Sequence, residues 1–151
     1  MTITLYTDPI ILEVRQKSHL GVANIKDPET RDNVRAGIEK MEEIEHCIID
    51  AFGQLARRCY RFLRPNIQKT YDDEAIIPPT YTYEFVMSER RAEGRAEPLT
   101  AAMHAFVVQY ALTKFYSTVS NSELSNKYSL EALDTANRID ELLYTKVPPR
   151  I

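Results

Sequence analysis

Apolar residues recur at steps of three or four between Asp27-Pro28 and Leu63-Arg64-Pro65, as Val34, Ile38, Met41, Ile44, Ile48, Phe52, Leu55, Cys59 and Phe62. This period is the buried stripe of one α-helical face, and it predicts a long helix over 28–63 on which the rest of the chain packs. As a single rod it would be roughly 50 Å long at 1.5 Å per residue, so part of it is expected to project and meet a partner. Gly37 and Gly53 are costly inside a helix and mark a bend or a close helix approach; the bend is expected near Gly37, where the stripe changes from sparse to dense.

Other patterns fill in the remaining elements. Ile3 and Leu5 alternate with Thr2, Thr4 and Tyr6, which suits a short strand or extended arm. Asp8-Pro9 supplies a cap and a first-turn proline for a helix over 8–20, and Gly21 is placed to end it. Asp27-Pro28-Glu29 repeats that start signal. Residues 64–97 read as a loop with Asp72-Asp73-Glu74 and Pro78-Pro79, interrupted by a strand over 80–87 where Tyr81, Tyr83 and Phe85 alternate with Thr82, Glu84 and Val86. A single strand needs a partner, either the N-terminal arm or a neighbouring subunit. Ser88 to Glu97 reads as a turn or short helix. Glu97-Pro98 opens a helix over 98–119 through Leu99, Met103, Phe106, Val107, Tyr110, Ala111 and Phe115, the most hydrophobic and hence the central one. Ser120 and Glu123 have capping-box spacing ahead of a helix over 121–145 that carries Leu124, Tyr128, Leu133, Ala136, Ile139 and Leu143. Pro148 and Pro149 leave 146–151 as an extended tail. The expected fold is one mainly α domain: about four helices in an antiparallel bundle with one long helix, a long proline-containing loop holding a short β segment, and extended termini.

Composition narrows the function classes. The chain has 151 residues, 44% hydrophobic and 27% charged, enough for a single real core. A net charge of -3 argues against generic binding to a nucleic-acid backbone as the main task. Cys47 and Cys59 would stand about 18 Å apart along one helix and cannot bridge, so both thiols are expected free in a reducing compartment. No stretch approaches the roughly 20 apolar residues of a membrane span, so the chain is expected in a cytoplasm or built into something assembled there.

No catalytic constellation is present. His19, His46 and His104 fall on different predicted helices, and Glu43 with His46 is a lone Glu-x-x-His. The phosphate-cradling glycine patterns are missing. No enzyme activity, cofactor or metal is therefore expected. Charge is more informative: on the predicted long helix Glu39, Glu42, Glu43, Glu45 and Asp50 precede a basic run of Arg57, Arg58 and Arg61 that continues just past its end with Arg64 and Lys69. This is either dipole complementation on a solvated face, or two patches that meet head to tail on adjacent copies, or, with Arg90, Arg91 and Arg95, a phosphate-binding patch. The nine tyrosines, Tyr81 and Tyr83 among them, suit half-wet surfaces including interfaces.

In its order of parts the chain resembles the small helical head-tail connector (adaptor) proteins of tailed bacteriophages and prophages. The likeness runs over a short helix, a long helix ending in Cys59-Tyr60-Arg61-Phe62-Leu63, a long proline-containing loop, the helix with Tyr110-Ala111-Leu112-Thr113-Lys114-Phe115-Tyr116, and a last helix leading to an extended tail. The resemblance implies a homo-oligomeric ring, commonly a dodecamer, placed between portal protein and tail components, with DNA passing through its lumen without sequence recognition. It further implies that the loop docks on a neighbour, that the charge patches set the ring contact, and that Pro148, Pro149, Arg150 and Ile151 reach the next component. The alternative is a bacterial helical regulatory or nucleic-acid-associated protein using the patch from Arg57 to Arg64.

Overall fold

The computed structural model describes residues 1–23, 26–29, 31, 41–64, 77–119 and 121–144. Strand β1 (Thr2–Tyr6) runs directly into α1 (Thr7–Ala23); α2 (Met41–Cys59) ends in a 3-10 turn (Tyr60–Phe62); β2 (Thr80–Glu84), the short α3 (Glu89–Ala92), α4 (Ala96–Thr118) and α5 (Ser122–Tyr144) follow. The result is mainly helical, with a two-stranded antiparallel sheet packed on the bundle.

Helix α4 lies at the centre, touching α5, α2, α1 and β1. Its expected face is buried at Leu99, Met103, Phe106, Val107, Ala111 and Phe115, but so are Ala102, Val108, Leu112 and Tyr116. Burial on several sides follows from having neighbours on several sides. Helix α2 buries its predicted row: Ile44, Ile48, Phe52, Leu55 and Cys59 are inaccessible or nearly so. It passes through Gly53 without interruption. Val34, Ile38 and the expected bend at Gly37 lie outside the described residues. The start signal at Asp27 operates locally, since Asp27 Oδ1 accepts from the Glu29 N–H at 3.3 Å.

The partner of β2 is the N-terminal arm, in the register Ile3↔Tyr83 and Leu5↔Tyr81. Ile3, Leu5, Tyr83 and Phe85 point into the core from the two strands. Thr7 fastens the junction with α1: its N–H donates to Pro79 O at 3.0 Å and its Oγ1 to Pro78 O at 2.9 Å. Without the pairing these groups would be buried donors and acceptors lacking partners.

Several boundaries differ from the sequence expectations. Helix α1 continues through Gly21 to Ala23, because a single helical glycine costs only about 1 kcal/mol. Strand β2 stops at Glu84, and Phe85 bridges Leu63 instead. Within 88–97, Ser88 Oγ accepts from Arg91 N to start α3, and Gly94 adopts φ +74°, open to glycine without strain. Helix α5 is capped by Asn121 Oδ1, which accepts from Leu124 N at 3.2 Å; Ser120 lies outside the described residues. Leu133, expected on the buried face of α5, is 53% exposed. The buried row is Tyr128, Ala132, Ala136, Ile139 and Leu143, so small alanines meet α4 and Leu133 falls beside the contact.

Candidate interaction surface

Opposite the buried row of α2 lies an outward row at the same helical spacing: His46, Asp50, Gly53 and Arg57, all exposed, with half-buried Glu43 before them and exposed Arg61 after. The acidic groups sit toward the start of the helix and the arginines at its end, so one rigid face has two poles. Glu43 and Arg57 are about 21 Å apart along the axis at 1.5 Å per residue. Among the described residues none of Glu43, Asp50, Arg57 and Arg61 enters an ion pair. The acidic pole is felt by its neighbour: burial, then the carboxylates of Asp50 and Glu43, push the Cys47 thiol up to about 11, against the opposing Lys114. Such a face attracts a surface of reversed polarity.

The other residues singled out from the sequence are distributed differently. Arg58 is held inside the chain, donating from Nε and Nη2 to the two carboxylate oxygens of Asp140 at 3.2 and 2.6 Å, which ties α2 to α5. Arg64 is exposed, with Nη1 4.0 Å from Glu84 Oε2. Glu45 is half-buried and off the outward row, and Glu42 belongs to the first turn of α2. Tyr81 stacks on Phe52 with ring centroids 3.7 Å apart. Tyr83 is 4% exposed, with its hydroxyl donating to Phe52 O at 3.4 Å. Burial holds the Tyr83 phenol well above its usual range. Both rings are therefore occupied in packing against their own chain, and the alternation that predicted the strand already placed them on one face. Glu39, Lys69, Pro148, Pro149, Arg150 and Ile151 lie outside the described residues.

Arg91 and Arg95 serve the end of α5. Arg91 Nη2 donates to Leu143 O, and Arg95 Nη1 donates to Leu142 O at 2.6 Å. The Arg91 guanidinium also stands 5.4 Å over the Phe62 ring, and Phe62 meets Tyr144 edge-on. These cations satisfy the last carbonyls of a helix, which counts against a phosphate patch built from them.

Beside the outward row, α2 and α5 part over α4 to leave an open groove of about 420 Å³. Phe106, Tyr110 and Thr113 form its floor, Arg57 one rim and Leu133 the other. Leu130, 66% exposed on α5, does not line the groove. Sequence reading missed this groove, because it depends on how far α2 and α5 diverge. It gave Gly53 as the mark of a bend or a close helix approach, without its place at the middle of the charged row.

Among the described residues no group of three His, Cys, Asp or Glu side chains could hold a metal ion. No described helix is long and apolar enough to cross a membrane. Comparison of the chain with family models, with curated proteins and with solved structures gives no match.

Proposed function

We propose that this chain is a structural assembly protein, a ring-forming oligomeric adaptor between a phage portal and tail that acts through helical surfaces and makes or breaks no covalent bond. The observation that carries the reading is the two-pole row on α2, where Glu43 and Asp50 face outward at one end and Arg57 and Arg61 at the other without ion-pair partners among the described residues. Complementary charge of this kind sets register and partner choice between subunits. The exposed Leu133, which lines the same groove as Arg57, supplies apolar area next to it, of the sort that interface centres bury. The order of elements, with a long charged helix ahead of the central apolar one, adds to the likeness to head-tail connectors.

Co-expression with portal and tail proteins from the same genome, followed by electron microscopy, tests the reading. Rings of many copies seated on the portal are the expected result; a chain that stays apart from both overturns it. The second reading, a nucleic-acid-associated protein, has one observation in its favour, the exposure of Arg57, Arg61 and Arg64 at a single end of α2. Retention of DNA with an affinity that falls steeply with salt would select it over the adaptor.

A further inference from the structure

We infer that α2 of one copy packs antiparallel on α2 of a second copy, about a twofold axis beside Gly53. Two features of the outward row point to this, and they are independent. The first is the order of charge. Two copies laid face to face in parallel would set acid on acid and base on base. Turned antiparallel, the same faces set acid on base at both ends, which is the reciprocal pattern of an isologous contact. With the axis beside Gly53, Asp50 comes level with Arg57 of the second copy, and Glu43 with the stretch containing Arg61 and Arg64. The exposed Tyr60 then falls beside His46 of the second copy.

The second feature is Gly53 itself. It is exposed in the middle of an unbroken helix, where glycine is among the poorest formers. A Cβ built on it would meet nothing within 4 Å, so no contact inside the described chain calls for its small size. Close crossing of two helix backbones does call for it. The only glycine of α2 lies where the charge pattern puts the axis.

This inference rests on taking the row as an assembly surface, but gives it a closed pair in the free chain where the head-to-tail expectation gives it a ring contact. Light scattering and native mass spectrometry of the purified chain provide the test. At low salt the chain should be a dimer, and raising the salt should dissociate it, because exposed charge pairs are screened within about 10 Å at 0.1 M. The double substitutions Arg57→Glu with Arg61→Glu, and Glu43→Lys with Asp50→Lys, should each give monomers, and an equimolar mixture of the two should form a one-to-one pair. Gly53→Cys should cross-link to a covalent dimer on mild oxidation while the wild-type chain does not, since only a residue at a twofold axis meets its own copy. Gly53→Gln should stay monomeric with undiminished helix content, which separates loss of pairing from loss of fold. A wild-type monomer at low salt overturns the inference. So do oligomers larger than two that survive Gly53→Gln. If Gly53→Gln still forms rings on the portal, the adaptor reading stands whether or not the pair does; if wild-type dimers form and no ring ever does, the reverse holds.

Discussion

Phe52 shows how one residue joins helix to sheet. Its ring, 2% exposed, takes the stacked face of Tyr81, and its carbonyl accepts from the Tyr83 hydroxyl, so α2 and β2 meet on a single residue. Phe52→Ala should lower unfolding free energy by about 3–5 kcal/mol in urea titration, since it leaves a cavity and removes the stack together. Tyr83→Phe deletes only the hydroxyl and should cost about 0.5–1.5 kcal/mol. The same burial gives a pH signature. Burial holds the phenols of Tyr83 and Tyr116 above their ordinary range, so the folded chain keeps protons that the unfolded chain releases above about pH 10. Stability should therefore be full below that pH and fall as pH rises past it. The urea midpoint of wild type should drop more steeply there than that of Tyr83→Phe. At the α1–α4 contact, partial burial pushes the Glu13 carboxyl up, but hydrogen bonds from His104 and Lys17 and their charges outweigh it and hold it below its usual range. That clasp is present above the unfolded carboxyl pKa and is lost as pH falls through the lower folded one. Being about a third exposed, it is worth less than about 1 kcal/mol.

At the scale of elements, α5 is the piece whose end is most explicitly secured. Four helix-terminal carbonyls normally lack partners, and here Arg95 reaches Leu142 O while Arg91 reaches Leu143 O from under the Phe62 ring. Arg95→Ala should raise hydrogen exchange over the last turn of α5 with little change in global stability. Arg91→Ala should do the same and also lower stability by about 1–2 kcal/mol, because it uncovers a buried carbonyl and removes packing on Phe62. None of this was legible in the sequence, where Arg91 and Arg95 sit in a short charged stretch that looks solvated. What was legible was what a period can encode: the buried row of α2 from Ile44 to Cys59, the apolar α4, and the inward alternation of β1 and β2. The partner of β2 was legible only as one of two choices, the N-terminal arm or a neighbouring subunit, because Ile3 and Tyr83 are joined only by the tertiary fold. Arg58 looked like one more member of a basic run until Asp140, on another helix, came within 2.6 Å of it. Leu133 and Ala132 are adjacent on the helix, and the choice between them was made by the close approach of α4, which a one-dimensional pattern does not contain.

For the whole molecule, long-range ties converge on the first strand. Met1 and Phe85 exchange backbone bonds at 3.2 and 2.7 Å, Thr7 holds Pro78 and Pro79, and farther along in α1 Ser18 O accepts from the Tyr116 hydroxyl at 3.2 Å, in the last turn of α4. The bundle of α4 with α2 and α5 is built from contacts that need no such closure, whereas β2 takes its ladder bonds from β1, and the end of the 3-10 turn is tied in through Val86 N to Phe62 O and Arg64 N to Glu84 O. The outer face of α2 is backed chiefly by α4, with Tyr81 and Tyr83 adding to it at Phe52, and a face supported beforehand is what a docking surface requires if ordering it on contact is not to oppose association. Removing the strand should consequently separate the two parts. Leu5→Ala should cost about 2–5 kcal/mol as a buried aliphatic truncation. Deleting residues 1–6 should go further, stripping exchange protection from Thr80 to Glu84 while α4 and α5 keep theirs and the salt-sensitive association through α2 persists. Loss of protection throughout α4 in the same experiment would mean instead that the strand is part of the cooperative core and that the outward row of α2 depends on it.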